Sequence, residues 1–122
     1  MFELKIITHF AAAHQLRNFK GACEKLHGHN WKIEVCISGT TLDDNGLLID
    51  FKKVKDATKI ILSKYDHTFL NELPQFTIHN PTSENIAAGL FGELSKKLNN
   101  SHVKITSVTA WESDSACATF SP

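Results

Sequence analysis

The sequence predicts an α+β fold: a four-stranded antiparallel sheet with two helices on one face. Three observations predict it. Two strand-like stretches open the chain, two more close it, and the segments between them switch to helical spacing. The order is therefore ββααββ, with strands and helices in runs, which argues against a doubly wound parallel sheet. At 122 residues, 42% hydrophobic and 21% charged, the chain has the size and composition of a single domain, residues 1–122.

The elements follow in order. "MFELKIITHFAAAHQL" is rich in apolar and β-branched residues and reads as a strand from Phe2 to His14. "RNFKGACEKL" has no period and reads as a loop. "HGHNWKIEVCISGT" alternates: His27, His29, Trp31, Ile33, Val35 and Ile37 share one face, and Asn30, Lys32, Glu34, Cys36 and Ser38 share the other. "TLDDNG" is a turn. In "LIDFKKVKDATKIILSKY", Phe51, Val54, Ala57, Ile60 or Ile61, and Lys64 or Tyr65 fall on one side of a helix, with Asp50 as its N-cap. "DHTFLNELPQFTIHNP" is an irregular connector. "PTSENIAAGLFGELSKKLNN" is the clearest helix, capped by Thr82 or Ser83, with Glu84 in its first turn and apolar residues at 86, 87, 90, 91, 94 and 98. "HVKITSVTAWES" and "SACATFSP" read as two strands joined by a tight turn around Ser113 and Asp114. The open sheet edges give a reason for subunits to associate.

Charge narrows the partners. Thirteen basic and thirteen acidic residues leave a formal net charge of zero, so nothing electrostatic calls for nucleic acid or an anionic membrane. No apolar run approaches the roughly 20 residues of a bilayer span. The N-terminus lacks a basic segment, a continuous apolar core and a cleavage site, so a cytoplasmic location is expected. Cys23, Cys36 and Cys117 are odd in number and contain no CxxC pair, which makes a disulfide framework unexpected. Cys36 and Cys117 read as packing residues.

The chemistry concentrates in "CEKLHGH", residues 23–29. His27 and His29 are two apart on a strand and so point to the same face. Gly28 removes bulk from the opposite face. Two imidazoles at that spacing can chelate one ion, and three nitrogens with an open fourth position is the pattern of a catalytic zinc site. His14, at the end of the first strand, comes near the pair if the two strands form a hairpin. His9, five residues earlier, faces the other way. Cys23 has two readings. It is a fourth ligand of a closed, chemically quiet site, or it is an acid–base group beside an open one, its thiolate favoured by the metal. Spacing leaves both open. Asp66-His67 can act as a carboxylate-oriented imidazole, although such dipeptides are commonly just solvated. Glu112, near a strand end, reads as an exposed acid or as a buried carboxylate able to accept two N–H bonds from a guanidine-like ring edge.

Taken together, "FAAAHQL", "CEKLHGHN", "GLLIDF", "YDHTFLN", "NPTSENIA" and "VTAWES" resemble, in order and spacing, the motifs of the 6-pyruvoyl-tetrahydropterin synthase family, which includes the 6-carboxy-tetrahydropterin synthases of queuosine biosynthesis. The resemblance spans nearly the whole chain. It implies a T-fold (tunnelling fold), subunits joined through their strands into trimers stacked as hexamers, active sites at subunit interfaces, and 7,8-dihydroneopterin triphosphate as substrate. By motif, His14, His27 and His29 are similar to the zinc ligands and Cys23 to the proton acceptor. Asp66 and His67 resemble a relay pair reaching in from a neighbouring subunit. Glu112 resembles the pterin anchor, and Thr82 and Ser83 resemble positions beside the pterin. Glu24 follows Cys23 and stands as a possible second base of the kind linked to 6-hydroxymethyl-dihydropterin formation, or as an exposed loop acid. The implied product is 6-carboxy-tetrahydropterin, with acetaldehyde and triphosphate. The alternatives are the pyruvoyl product or a dual enzyme that also supplies the hydroxymethyl pterin. A rival of another class is a non-catalytic zinc-stabilised module with Cys23 as the fourth ligand. No GxGxxG motif occurs, in keeping with an internal redox transfer that needs no nicotinamide.

Overall fold

The structure, a computed structural model, describes residues 1–17 and 25–122. The predicted roles of Cys23 and Glu24 therefore fall on residues outside the described ones. Strand β1 (Phe2–His14) and strand β2 (His27–Gly39) pair antiparallel along their whole length, from Phe2 opposite Gly39 to His14 opposite His27. The alternating pattern sets this register. Ile6, Phe10, Ala12 and His14 of β1 are buried, as are Trp31, Ile33, Val35 and Ile37 of β2. A slip by one residue would turn both apolar sets to solvent. At the far end, a Cβ on Gly39 would collide with the His102 carbonyl oxygen, so the chain can approach there only as glycine.

Helix α1 (Phe51–Leu62) begins where the Asp50 carboxylate accepts the Lys52 N–H at 2.9 Å. A two-residue strand β3 (Thr68–Phe69) and two 3₁₀ turns, Leu70–Glu72 and Pro74–Phe76, lead to helix α2 (Ser83–Leu98). The hydroxyl of Thr82 accepts the Asn85 N–H at 3.1 Å and caps α2. Caps of this kind contribute about 1 kcal/mol each. Strands β4 (Lys104–Ser113) and β5 (Ala116–Phe120) complete the fold. α1 packs on β1, α2 packs on β4 and β5, and the helices touch each other. Val54, Ala57, Ile61 and Leu62 from α1 meet Ile86, Ala87, Leu90 and Leu94 from α2 over the strand residues named above. No helix among the described residues is long and apolar enough to cross a membrane.

The α+β class and the element order are as expected, with three corrections. The sheet has five strands in the order β3-β1-β2-β4-β5, and β3 runs parallel to β1. Two residues are too few for a periodic signal, and only the docking of the connector onto the β1 edge makes them a strand. Cys117 is exposed, unlike the buried Cys36. It stands opposite Trp111 on the outer face of the edge strand, away from the helices. Phe51 is 53% exposed, because it lines a shallow apolar hollow with Phe2, Leu4 and Leu47 instead of entering the core.

Candidate metal centre

The β1–β2 register builds the site. His14 is directly opposite His27, and His29 is opposite Ala12, so His29 lies diagonal to His14. Direct and diagonal partners on one face stand about 4.5–5.5 Å and about 7–8 Å apart, within reach of imidazole rings. The ring centroids lie 4.6 Å (His14–His27), 5.1 Å (His14–His29) and 4.6 Å (His27–His29) apart. Trp31, fully buried, lies 5.1 Å from the His14 ring and 5.5 Å from that of His29. His9 is exposed, on the opposite face, as its odd spacing predicted. Gly28 has room for a side chain: an added Cβ would make only an ordinary 3.8 Å contact with the Ala12 carbonyl.

Hydrogen bonds orient two of the rings. His14 Nδ1 lies 2.8 Å from the Pro81 carbonyl oxygen, and His27 Nδ1 lies 2.8 Å from that of Lys25. A carbonyl can only accept, so each Nδ1 carries a proton, and in the neutral ring each Nε2 then offers a lone pair. Yet His14 Nε2 and His27 Nε2 are 3.1 Å apart. The Glu112 carboxylate, also an acceptor, joins them: its Oε1 lies 3.1 Å from His14 Nε2, 3.0 Å from His29 Nε2 and 3.9 Å from His27 Nε2. One candidate ligand atom from each of the four residues falls within 4.8 Å of the others. Converging acceptors repel unless a cation lies among them, so this donor set fits a metal ion. The backbone carbonyls that hold the far nitrogens are the usual outer support of histidine ligands.

Asp66 and His67 stand elsewhere. The Ala11 N–H donates to Asp66 Oδ1 at 2.9 Å, and the His67 N–H donates to the Ala11 carbonyl at 2.6 Å. Both clamp the β1 edge three residues before His14. Asp66 Oδ2 lies 3.0 Å from His67 Nδ1, so the expected carboxylate–imidazole pair forms, but the imidazole is 81% exposed. His67 has φ 57°, a left-handed conformation that non-glycine residues adopt at a cost. The Ala11 N–H holds the Asp66 carboxyl below its ordinary range, helped by His67 and opposed by partial desolvation. Neighbouring Tyr65 points inward, and burial, with Glu93 adding to it, pushes its phenol up to about 12.

Thr82 and Ser83 start α2 beside Pro81, whose carbonyl holds His14. The hydroxyl oxygen of Thr82 is occupied as the cap acceptor and retains its O–H to donate. Three supporting side chains escaped the sequence reading. Asn71 accepts the Gln15 N–H at 2.9 Å and donates to the Gln15 carbonyl at 2.6 Å. Asn80 does the same for Arg17, at 2.8 and 2.9 Å. The Arg17 guanidinium donates to the carbonyls of Phe76 and His79. Together they pin the chain where it leaves β1 toward the "CEKLHGH" segment. The two Asn residues of "FLNEL" and "IHNPTS" were visible, but their partners lie 56 and 63 residues away, beyond any local pattern.

Three imidazoles of an antiparallel hairpin and a carboxylate from β4 thus form a cluster that could hold a metal ion, on a sheet backed by two helices: an α+β protein with a candidate metal centre. The model of the 6-pyruvoyl tetrahydropterin synthase family matches residues 3–122, and the chain belongs to that family. An Archaeoglobus fulgidus protein provisionally named 6-carboxy-5,6,7,8-tetrahydropterin synthase is 45% identical over 101 residues, 82% of this chain and 83% of its own. The 6-carboxy-5,6,7,8-tetrahydropterin synthase of Bacillus subtilis is 34% identical over 112 residues, 88% of this chain and 75% of its own. A dihydroneopterin monophosphate aldolase of Pyrococcus furiosus is 33% identical over 103 residues, 84% of this chain and 82% of its own. Among solved structures, the 6-pyruvoyl tetrahydropterin synthase of Caenorhabditis elegans superposes with a TM-score of 0.85 at 25% identity, over 99% of this chain and 95% of that one. The likeness bears out the T-fold class.

Proposed function

We propose that the chain is a zinc-dependent 6-carboxy-5,6,7,8-tetrahydropterin synthase. It converts 7,8-dihydroneopterin triphosphate, with water, to 6-carboxy-tetrahydropterin, acetaldehyde and triphosphate, and serves 7-deazaguanine (queuosine) biosynthesis in the cytoplasm. The observation that carries the reading is the convergence of the His14, His27 and His29 rings at the loop end of the hairpin. The names of the Archaeoglobus and Bacillus relatives support the carboxy product.

Each residue then has a task. His14, His27 and His29 hold the ion, with Pro81 and Lys25 fixing two of the rings. Bound there, zinc supplies Lewis acidity toward the side-chain oxygens of the substrate, which acidifies the adjacent C–H bonds. Cys23, as thiolate, takes a proton from such a carbon. Glu112 holds the N–H edge of the pterin, with Thr82 and Ser83 beside the ring. His67, steadied by Asp66, moves the remaining protons. Its exposed imidazole suits a site completed across a subunit interface, in a trimer-based homohexamer. No step needs nucleic acid, a membrane or a nicotinamide.

A second reading has a specific observation behind it. The aldolase relative, together with Glu24 beside Cys23, points to side-chain cleavage that gives 6-hydroxymethyl-dihydropterin. One experiment separates the outcomes. Zinc-loaded protein is incubated with 7,8-dihydroneopterin triphosphate, and the products are identified by mass. The carboxy pterin is expected; the pyruvoyl or hydroxymethyl product moves the assignment within the family; no turnover at all refutes it. Cys23→Ala separates enzyme from structural module: turnover lost with zinc kept supports the enzyme, and zinc lost supports Cys23 as a ligand.

A further inference from the structure

Three imidazoles would leave one position open on a four-coordinate ion, and a carboxylate oxygen stands close beside them. Ligand atoms about 2.0–2.1 Å from a tetrahedral metal are separated from each other by about 3.3 Å. His14 Nε2 and His27 Nε2 are 3.1 Å apart. Glu112 Oε1 is 3.1 Å from His14 Nε2, 3.0 Å from His29 Nε2 and 3.9 Å from His27 Nε2. These distances straddle the tetrahedral edge, with the one to His27 the loosest.

The strand places Glu112 there for a local reason. Ala110 of β4 pairs with Ile33 of β2, both in the core, so two residues further on Glu112 reaches the core face beside Trp31 and His29. The β4–β5 register shifts between Trp111 and Ser113, a bulge at Glu112 itself. Bulges re-aim a side chain and recur beside functional sites. Glu112, 36% exposed, shares the solvent side of the cluster with His27 at 34% and His29 at 23%, whereas His14 is at 2%. A molecule approaching from solvent therefore meets the carboxylate and His27 before it meets His14.

We infer that Glu112 is the fourth ligand of the metal while no substrate is bound, and that the substrate reaches the metal by displacing it. The inference rests on the metal reading above and deepens the part given to Glu112. The same carboxylate closes the substrate-free site and, once released, is free to hold the N–H edge of the pterin. A fully coordinated ion is chemically quiet, whereas catalysis needs an open position; displacement of Glu112 converts one state into the other.

The test needs no turnover. Metal-free wild type and Glu112→Gln are loaded with zinc, and affinity is measured by chelator competition. Both are also loaded with cobalt(II), whose visible bands report coordination. The inference predicts an affinity loss of about tenfold or more in Glu112→Gln and an altered cobalt spectrum. It further predicts that neopterin, added to cobalt-loaded wild type, changes the spectrum while the metal stays bound. That measurement stands even if the variant fails to fold. Glu112→Gln with zinc affinity within about twofold of wild type and a superimposable cobalt spectrum overturns the inference, as does a wild-type spectrum indifferent to saturating neopterin. In both cases the metal site itself survives. A folded wild type that binds neither zinc nor cobalt instead removes the metal reading on which the inference depends.

Discussion

Two histidines of this chain meet β1 only a few residues apart, one within the strand and one docked against it at Ala11, in opposite circumstances. His14 is at the end of the strand, 1% exposed, with one ring nitrogen held by Pro81 and the other among acceptors. His67 is clamped to the Ala11 backbone, held by a carboxylate, and 81% exposed. The first belongs to a cluster that one chain completes by itself. The second is oriented with care and aimed at nothing in its own core. For the proposed enzyme the contrast divides the machinery in two, with the ion-holding role assigned to the half inside the hairpin and the proton-handling role to the half presented outward.

The strongest way to break this division is at His14. His14→Ala is expected to lower zinc affinity by about a hundredfold or more and to reduce turnover to background. It also strands the Pro81 carbonyl in a buried place, at a cost of about 1–3 kcal/mol. Chelator competition and thermal unfolding read the two effects. His67→Ala should behave oppositely, with zinc content unchanged and turnover down about 10²–10⁴-fold, the range for a lost acid–base group. Mixing refolded His29→Ala and His67→Ala chains sharpens the comparison. Activity regained in the mixture places the halves of one site on two subunits, and a mixture as dead as its parents places them on one.

Smaller effects follow. Asn80→Ala removes both side-chain bonds to the Arg17 backbone and should destabilise by about 1–3 kcal/mol, with zinc affinity nearly unchanged; denaturant unfolding checks it. The least effect belongs to Asp66. Its folded pKa lies below the unfolded value, so its ionised form stabilises the clamp above that unfolded value. The contribution fades as pH falls through the folded one. Thermal unfolding should show the gap between wild type and Asp66→Asn closing as pH drops below about 4. A gap constant from neutral to acid pH would detach the clamp from the carboxylate.

Much of this architecture can be read from residue order, because it rests on local periodicity. The two-residue alternation of β2 placed His27 and His29 on the buried face with Trp31 and Ile33, and a hairpin was enough to bring His14 to them. Asp50 and Thr82 stand as caps because short polar side chains before apolar runs have little else to do. What escaped depends on distance or on irregularity. β3 exists only through the β1 edge. Cys117 is exposed because its edge strand turns that residue outward. The Asn71 and Asn80 clamps close over more than fifty residues of chain. Glu112 reaches the imidazoles through a sheet register and a bulge that no spacing announces, which is why an exposed strand-end acid was the natural expectation from sequence.

The central claim is that three imidazoles on one hairpin hold a metal ion. Elemental analysis of purified protein, after dialysis against a weak chelator, tests it most directly. The account predicts stoichiometric zinc in the wild type and almost none in His14→Ala or His29→Ala, each checked to be folded. A folded wild type without metal after zinc reconstitution, or histidine variants that retain as much zinc as the wild type, would contradict it.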